Sequence, residues 1–406
     1  MAALKYWVWL SDLAGLSNVT KLQLLQHFGS PEEIYCAGAE EFAQVEGLKK
    51  EQIDLLGQKS LQGAENILHE CAKNNVFLIT LDDALYPHRL KNIFDPPLLL
   101  YGKGNMPLID EEVPLTIVGT RSCTPYGVQC AEMLGYDLAR QGAVVVSGMA
   151  KGIDSAALKG CLRAGGFPCA VFGCGVDVVY PADNQRLYED ILASGVVLSE
   201  YPPSTEPEPW RFPQRNRIMS GLSVGTIVAE APERSGALIT ARDALEQGRD
   251  VFAVPGPVNA PGSAGCLQLI REGAVLTRHA WDVLEEYAER YPHRLRRRTE
   301  AIPPEPEKAG EPENQPKKAK KLPKIPTLDL RKNAAGLTDD QIAVLRILPA
   351  DRPMLTDEAA EVTGISIRRV LSALTVLEID GYARKSGAQS FISLVTIPDE
   401  GEKGNE

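Results

Sequence analysis

Leu115-Thr-Ile-Val-Gly-Thr-Arg121-Ser-Cys-Thr-Pro125 opens a unit that runs through an amphipathic stretch to Gln141. The unit closes on Gly142-Ala-Val-Val-Val-Ser-Gly-Met-Ala-Lys-Gly-Ile-Asp154. Thr116–Val118 is a short apolar, β-branched run stopped by Gly119, as expected of a strand buried on both faces. Thr124 is placed to cap a helix whose first position is Pro125. Val128, Ala131, Leu134 and Leu138 then fall on one helical face, Gly142 ends the helix, and Ala143–Ser147 reads as the next strand. A strand, a helix and a second strand in this spacing predict a parallel pair in an α/β sheet.

Both strands end in glycine turns, Gly119-Thr-Arg121-Ser122 and Ser147-Gly148 through Lys151-Gly152 to Asp154. In a parallel sheet these turns share the carboxyl edge, where ligands bind. Glycines let backbone N–H groups approach a ligand, and Thr120, Ser122 and Ser147 add hydroxyl donors. The following helix N-termini favour an anion, and Arg121 adds a fixed bidentate phosphate donor. The chain lacks Gly-x-Gly-x-x-Gly and a Gly-Lys-Ser/Thr motif at these turns, so neither NAD nor ATP is indicated and no cofactor is expected.

The 406 residues allow two to four domains, and 44% apolar content supports large cores. No apolar run reaches membrane-spanning length, and the first residues lack a signal-peptide layout, so a cytoplasmic protein is expected. Eight cysteines are scattered without Cys-x-x-Cys pairs, which favours reduced thiols over zinc. A net charge of −11 argues against indiscriminate coating of nucleic acid while allowing a local basic groove.

Residues 1–75 read as helices joined by small turns, with helical patterns at Val19–Phe28 and Lys50–Leu61. Apolar–Gly–apolar turns at Gly15 and Gly47 resemble helix-hairpin-helix modules, which meet either a DNA backbone or protein. From Val76 to about residue 291 strands and helices alternate with Gly and Pro punctuation, the pattern of a doubly wound, mostly parallel α/β domain. Strands are expected at Val76–Thr80, Asp95–Tyr101, Cys169–Phe172, Val196–Ser199, Thr226–Ala229 and Val251–Val254. Helices are expected at Asn184–Ala193, Ser235–Gln247, Leu267–Arg271 and Ala280–Arg290. Residues 292–335, rich in Pro, Glu and Lys, read as a flexible linker. Three helical patterns and a hairpin around Ser386-Gly387 make residues 336–397 a winged helix-turn-helix pattern, followed by a tail at 398–406. Arg368 and Arg369 lie where its recognition helix would meet a groove, in a module with more acidic than basic residues. The α/β segment is expected to fold without either appendage.

Trp210-Arg-Phe-Pro-Gln-Arg-Asn-Arg217, leading into a helix at Ile218, gathers three arginines, two amides and two aromatic rings around a proline. Arginines bind phosphates and aromatic faces stack on unpaired bases, which is single-strand binding chemistry. The other reading is a structural corner whose arginines pair with Glu200 or Glu230. Ser235-Gly236 to Thr240 starts a further helix after a strand, and Tyr180-Pro-Ala-Asp-Asn184 with Arg186 follows another strand on the same expected edge. No Ser/His/Asp or paired-carboxylate constellation is apparent, and Asp154 reads as a helix cap rather than a base.

Together these strings closely resemble the DprA, or Smf, family of DNA processing proteins. The resemblance rests on Tyr86-Pro87, Asp95-Pro-Pro97, Ile117-Val-Gly-Thr-Arg121, Val146 to Asp154, Gly173-Cys-Gly175 with Tyr180-Pro181, Phe212-Pro-Gln-Arg-Asn-Arg217, Ser235-Gly236 and Val251 to Gly256, in order. It implies an extended Rossmann-like domain that binds single-stranded DNA and carries a helical N-terminal module and a winged-helix C-terminus. It also implies a non-enzymatic mediator that protects incoming single strands and loads the RecA recombinase during natural transformation. Such a protein works against single-strand-binding protein and dimerises with itself. Carried over by motif, the DNA contacts are Gly119, Thr120, Arg121, Ser122, Ser147, Gly148, Lys151, Arg186, Phe212, Arg215, Asn216, Arg217, Ser235, Gly236 and Thr240. Leu158 and Leu267 stand where the family often has His and Asn.

Two rival readings come from other classes. A phosphoribohydrolase-like enzyme would need a Pro-Gly-Gly-x-Gly-Thr loop, whereas Pro255-Gly256 runs into Pro257-Val258. A winged-helix regulator with an α/β sensor would read duplex sequence.

Overall fold

The computed structural model describes residues 3–295, 337–349, 354–385 and 390–395. They belong to two compact units that divide between Glu305 and Pro306. Most of the expected linker, the Ser386-Gly387 turn and the tail lie outside the described residues. The linker's first residues belong to the core, since Leu295 is buried and Arg294 pairs with Glu112 at 3.0 Å.

The first unit is built on a nine-stranded sheet: β1 (Phe77–Thr80), β2 (Leu99–Gly104), β3 (Val113–Gly119), β4 (Ala143–Ser147), β5 (Phe167–Phe172), β6 (Val196–Ser199), β7 (Gly225–Glu230), β8 (Asp250–Ala253) and β9 (Val275–Leu276). Its order is β1-β2-β6-β5-β4-β3-β7-β8-β9. From β6 through β9 every neighbouring pair is parallel, while β2 runs antiparallel to both β1 and β6. The central strands are mostly apolar and buried along nearly their whole length because helices cover both faces; β4 is buried at every residue. The chain winds from β3 through β4 and β5 to β6, then returns to place β7 and β8 on the other side of β3. That reversal opens a crevice between the turns after β3 and β7, the usual ligand position in such sheets.

The helices of this unit are α1 (Leu4–Asp12), α2 (Asn18–Phe28), α3 (Pro31–Cys36), α4 (Ala39–Phe42), α5 (Lys50–Gly57), α6 (Gln62–Lys73), α7 (His88–Lys91), α8 (Pro125–Arg140), α9 (Ile153–Arg163), α10 (Gln185–Ser194), α11 (Arg211–Leu222), α12 (Gly236–Glu246), α13 (Ala264–Arg271) and α14 (Trp281–Leu284). Thr124 Oγ1 accepts the Gly127 N–H at 3.1 Å and Pro125 takes the first position of α8, as the cap signature predicts. Val128 is the exception on the expected face: it is exposed, and Cys130 is buried in the stripe with Ala131, Leu134 and Leu138.

Several other elements differ from expectation, among them the helix expected at Lys50–Leu61, which ends at Gly57. β2 begins at Leu99 rather than Asp95, because Pro96 and Pro97 have no N–H for a ladder. α11 begins at Arg211 rather than Ile218; Pro213 fits the first turn, where an amide has no helical partner. The helix expected at Ala280–Arg290 gives way after Leu284 to a 3₁₀ turn, Glu285–Tyr287. β9 has two residues, too few for a periodic signal.

The N-terminal helices do not stand apart. Trp7, Trp9, Leu10, Phe42 and Cys71 join one continuous hydrophobic core with Tyr101 and the rest of the sheet. Lys21 Nζ donates to Ser11 O at 2.6 Å, and Asn18 Nδ2 reaches Glu200 Oε1 at 3.0 Å. Burial pulls the Lys21 ammonium down to about 8 against the opposing field of Glu200, Asp12 and Asp95. Separating residues 1–75 from the sheet would therefore open this shared core.

The second unit contains α15 (Asp339–Ile347), α16 (Thr356–Thr363) and α17 (Ile367–Ile379), with a three-stranded sheet ordered β10 (Met354–Leu355), β12 (Ser390–Ser393), β11 (Ala383–Lys385). Thr338 and Gln341 form a reciprocal capping box on α15. Gly364, in the left-handed region at φ 70°, ends α16 and turns the chain into α17. Val344, Val370, Leu374, Leu377 and Phe391 form its core. The sequence pattern did not include β10, which pairs with β12. Arg368 and Arg369 are both exposed, and the Arg369 guanidinium grips Asp340 through bonds of 2.8 and 2.6 Å.

Candidate functional site

At the crevice beside β3 lies an open cleft of about 430 Å³. The β3–β7 register slips by one residue between Val118 and Gly119, and the Thr120 N–H donates to Glu230 O at 2.8 Å. This directs Arg121 outward at the mouth of the cleft, where its guanidinium lies 5.1 Å from the Phe212 ring centroid. Phe212 in turn stacks on Tyr180, with centroids 5.4 Å apart and planes 25° from parallel. A cation and two aromatic faces from the turns after β3 and β5 and the start of α11 therefore form a single platform. Tyr180 presents its ring to solvent with 42% of its surface exposed.

The floor is charged and buried. Arg215 is buried beneath the cleft, where Nη1 donates to Val171 O at 2.5 Å and approaches Met219 Sδ at 3.3 Å. A Cβ on Gly148 would stand 1.8 Å from Arg215 Nη1, so glycine makes room for the guanidinium. Gly152 has φ 90° and passes so close to the carbonyls of Thr120 and Arg121 that a side chain would collide with both. Asp154 supplies the opposing charge: burial pushes its carboxyl up, while Arg215 and amides from Ala150 and Gly148 hold it down. Burial likewise pulls the Arg215 guanidinium down, with Asp154 opposing that shift. Asp154 does not cap its own helix, because its Oδ2 accepts the Gly148 N–H at 3.2 Å and so fastens the turn preceding α9.

Of the residues expected at the site, Gly119, Thr120, Arg121, Phe212, Arg215, Asn216, Ser235, Gly236 and Thr240 line this cleft. Ser235 Oγ also caps α12 through the Ala237 N–H at 3.3 Å. Ser147 and Gly148 support it from below; the Ser147 hydroxyl is buried and donates to Ile117 O at 2.7 Å. Ser122, Lys151 and Arg186 are exposed outside its lining, with Lys151 4.0 Å from Asp183.

Arg217 is turned away from the cleft. Its Nε donates to Asp95 Oδ2 at 3.0 Å and its Nη2 to Glu200 Oε1 at 2.7 Å, so it braces the corner. The geometry of a helix explains the split: residues 215 and 217 lie about 200° apart around the axis and cannot both face the cleft. Tyr180, Pro209 and Arg234 line the cleft without having been singled out as site residues. Arg234 had a readable signal, a positive charge next to the Ser235-Gly236 turn after a strand. Leu158 is fully buried and Leu267 half-buried, and neither lines the cleft.

All eight cysteines are free thiols, and no described helix is long and apolar enough to cross a membrane. The described residues contain no cluster of His, Cys, Asp and Glu able to hold a metal.

A family model described as DNA recombination-mediator protein A matches residues 77–288, and a DprA winged helix domain model matches residues 329–388. The chain is 42% identical over 224 residues to DNA processing protein DprA of Bacillus subtilis (strain 168), covering 55% of this chain and 75% of that protein. It is 39% identical over 287 residues to DNA processing protein DprA of Streptococcus pneumoniae, covering 71% of this chain and 99% of that protein. The X-ray structure of DprA from Streptococcus pneumoniae matches with a TM-score of 0.62 at 37% identity, covering 70% of this chain and 97% of that one. The extended Rossmann-like sheet, the winged-helix module and the sequence agreement across both lead to one assignment: the chain belongs to the DprA family of DNA processing proteins.

Proposed function

We propose that this protein binds single-stranded DNA in the cleft beside β3, protects the strand and loads the RecA recombinase onto it during natural transformation. The observation that carries the reading is the Arg121–Phe212–Tyr180 platform on a protein of net charge −11. Phosphate attraction comes from Arg121, with Arg234 also in the cleft lining, and base stacking comes from the two rings. Turn glycines and the capped start of α12 suit a sugar–phosphate backbone, and an open cleft admits a strand passing through. In this reading the protein is a cytoplasmic homodimer that performs no bond chemistry, and single-strand-binding protein is the competitor it displaces.

The test is binding of single-stranded and duplex oligonucleotides across a salt series, followed by RecA loading onto strands coated with single-strand-binding protein. The expected outcome is a clear single-strand preference with a log–log salt slope of about 0.7 for each phosphate contact. Equal affinity for duplex of any sequence would overturn the single-strand reading. Release of free base from a nucleoside monophosphate would instead support a hydrolase.

A further inference from the structure

We infer that Trp210 forms a second base-stacking platform that extends the single-strand path over the start of α11; this rests on the single-strand reading of the cleft. Trp210 is 55% exposed, whereas Trp7 and Trp9 are buried and Trp281 is half-buried. It occupies the N-cap of α11 and offers no side-chain cap bond. Ser, Thr, Asp or Asn would ordinarily stand there, so the position forgoes local stabilisation while leaving a large apolar ring in water. Local misfits of this kind concentrate where a site needs the residue for something else.

The ring is also held in place. The Arg211 guanidinium lies 4.9 Å from the Trp210 centroid and 5.0 Å from that of Tyr201. Arg211 Nη1 donates to Glu206 O, and the Tyr201 hydroxyl bonds Gln214 Oε1 at 3.0 Å. A positioned cation beneath an exposed indole is a ready surface for a planar base, because the ordering cost is met before the ligand arrives. Pro209 belongs to the cleft lining and Phe212 to its platform, so Trp210 stands at the rim between two cleft residues. A strand leaving the Phe212–Tyr180 stack over the α11 N-terminus thus meets the indole.

Charge limits what the platform binds. Glu206 and Glu208 are exposed in the loop just before it, so a phosphate is disfavoured there and a neutral base is not. Trp210 should therefore contribute to affinity without contributing to salt dependence.

The experiment uses the full chain with oligothymidylates of increasing length, read by tryptophan emission and by affinity across a salt series. Emission should be quenched only at lengths beyond the shortest that binds. Trp210→Ala should lose roughly tenfold in affinity for those longer strands, with an unchanged salt slope and unchanged affinity for the shortest one. Trp210→Phe should restore most of the affinity while abolishing the quench. Strands that bind at every length with no quench, and with equal affinity for Trp210→Ala, overturn this platform and leave the cleft reading intact. Absence of single-strand binding at any length or salt removes both.

Discussion

Arg121 and Phe212, ninety-one residues apart in sequence, meet with the guanidinium 5.1 Å from the ring centroid. The contact joins the turn after β3 to the first turn of α11, and no local pattern brings the two together. In the proposed single-strand reading, charge and stacking then act at the same point of the strand.

Removing the charge from that point gives the first prediction. Arg121 is exposed, so Arg121→Ala should leave the thermal melt nearly unchanged. Single-strand affinity should fall for all base sequences, and the salt slope should flatten by about 0.7, the contribution of one phosphate contact. Salt-dependent binding beside a melt checks it; a folded variant with unaltered affinity and slope would remove Arg121 from the site.

Arg217 should behave in the opposite way. Arg217→Ala leaves Asp95 and Glu200 facing each other without their shared cation, next to Lys21 and Asn18 of the N-terminal helices. A loss of about 3 kcal/mol is expected, since removing one partner strands mostly buried charge. Chemical denaturation measures the loss, and the folded fraction should bind single strands better than Arg121→Ala does.

Gly148→Ala tests the cleft floor. The added Cβ would be 1.8 Å from Arg215 Nη1, and the guanidinium is held by Val171 O and cannot simply swing aside. Destabilisation of about 2 kcal/mol is expected from overpacking, with weakened single-strand binding as the floor shifts. A variant as stable as the parent would show that Arg215 has another place to go.

Asp243 provides a pH signature. Burial, together with Glu246, raises its folded carboxyl to about 6 from the ordinary 3.8. Between those values the folded chain holds a proton that the unfolded chain has released, so stability from this group falls as pH rises from 4 to 6. Asp243→Asn should therefore raise Tm at pH 7 and leave it nearly unchanged at pH 4. The group is only half-buried, so solvent screening limits the gain to roughly 1 kcal/mol, or about 2–4 °C. Melts at the two pH values decide it, and an equal shift at both would show that the charge is not the cause.

Sequence by itself determined the alternation of strands and helices from Val76 onward, the cap at Thr124-Pro125, and the glycine turns that carry Arg121 and Gly148. These follow from short-range physics: β-branched apolar runs, helical periodicity, fixed proline φ and glycine's missing Cβ act over a few residues. The string Trp210 to Arg217 left two readings open, phosphate site or structural corner. The tertiary structure divided them, with Phe212 stacked under Arg121, Arg215 sunk beneath the cleft and Arg217 bound to Asp95 and Glu200. That division depends on the direction each side chain takes from one helix and on carboxylates far away in the chain. Likewise, 1–75 reads as a module, yet Trp7, Phe42 and Cys71 complete a core with Tyr101. Local pattern says which face of a helix is apolar; only the packed fold says which surface covers it, because burial is a property of two surfaces at once.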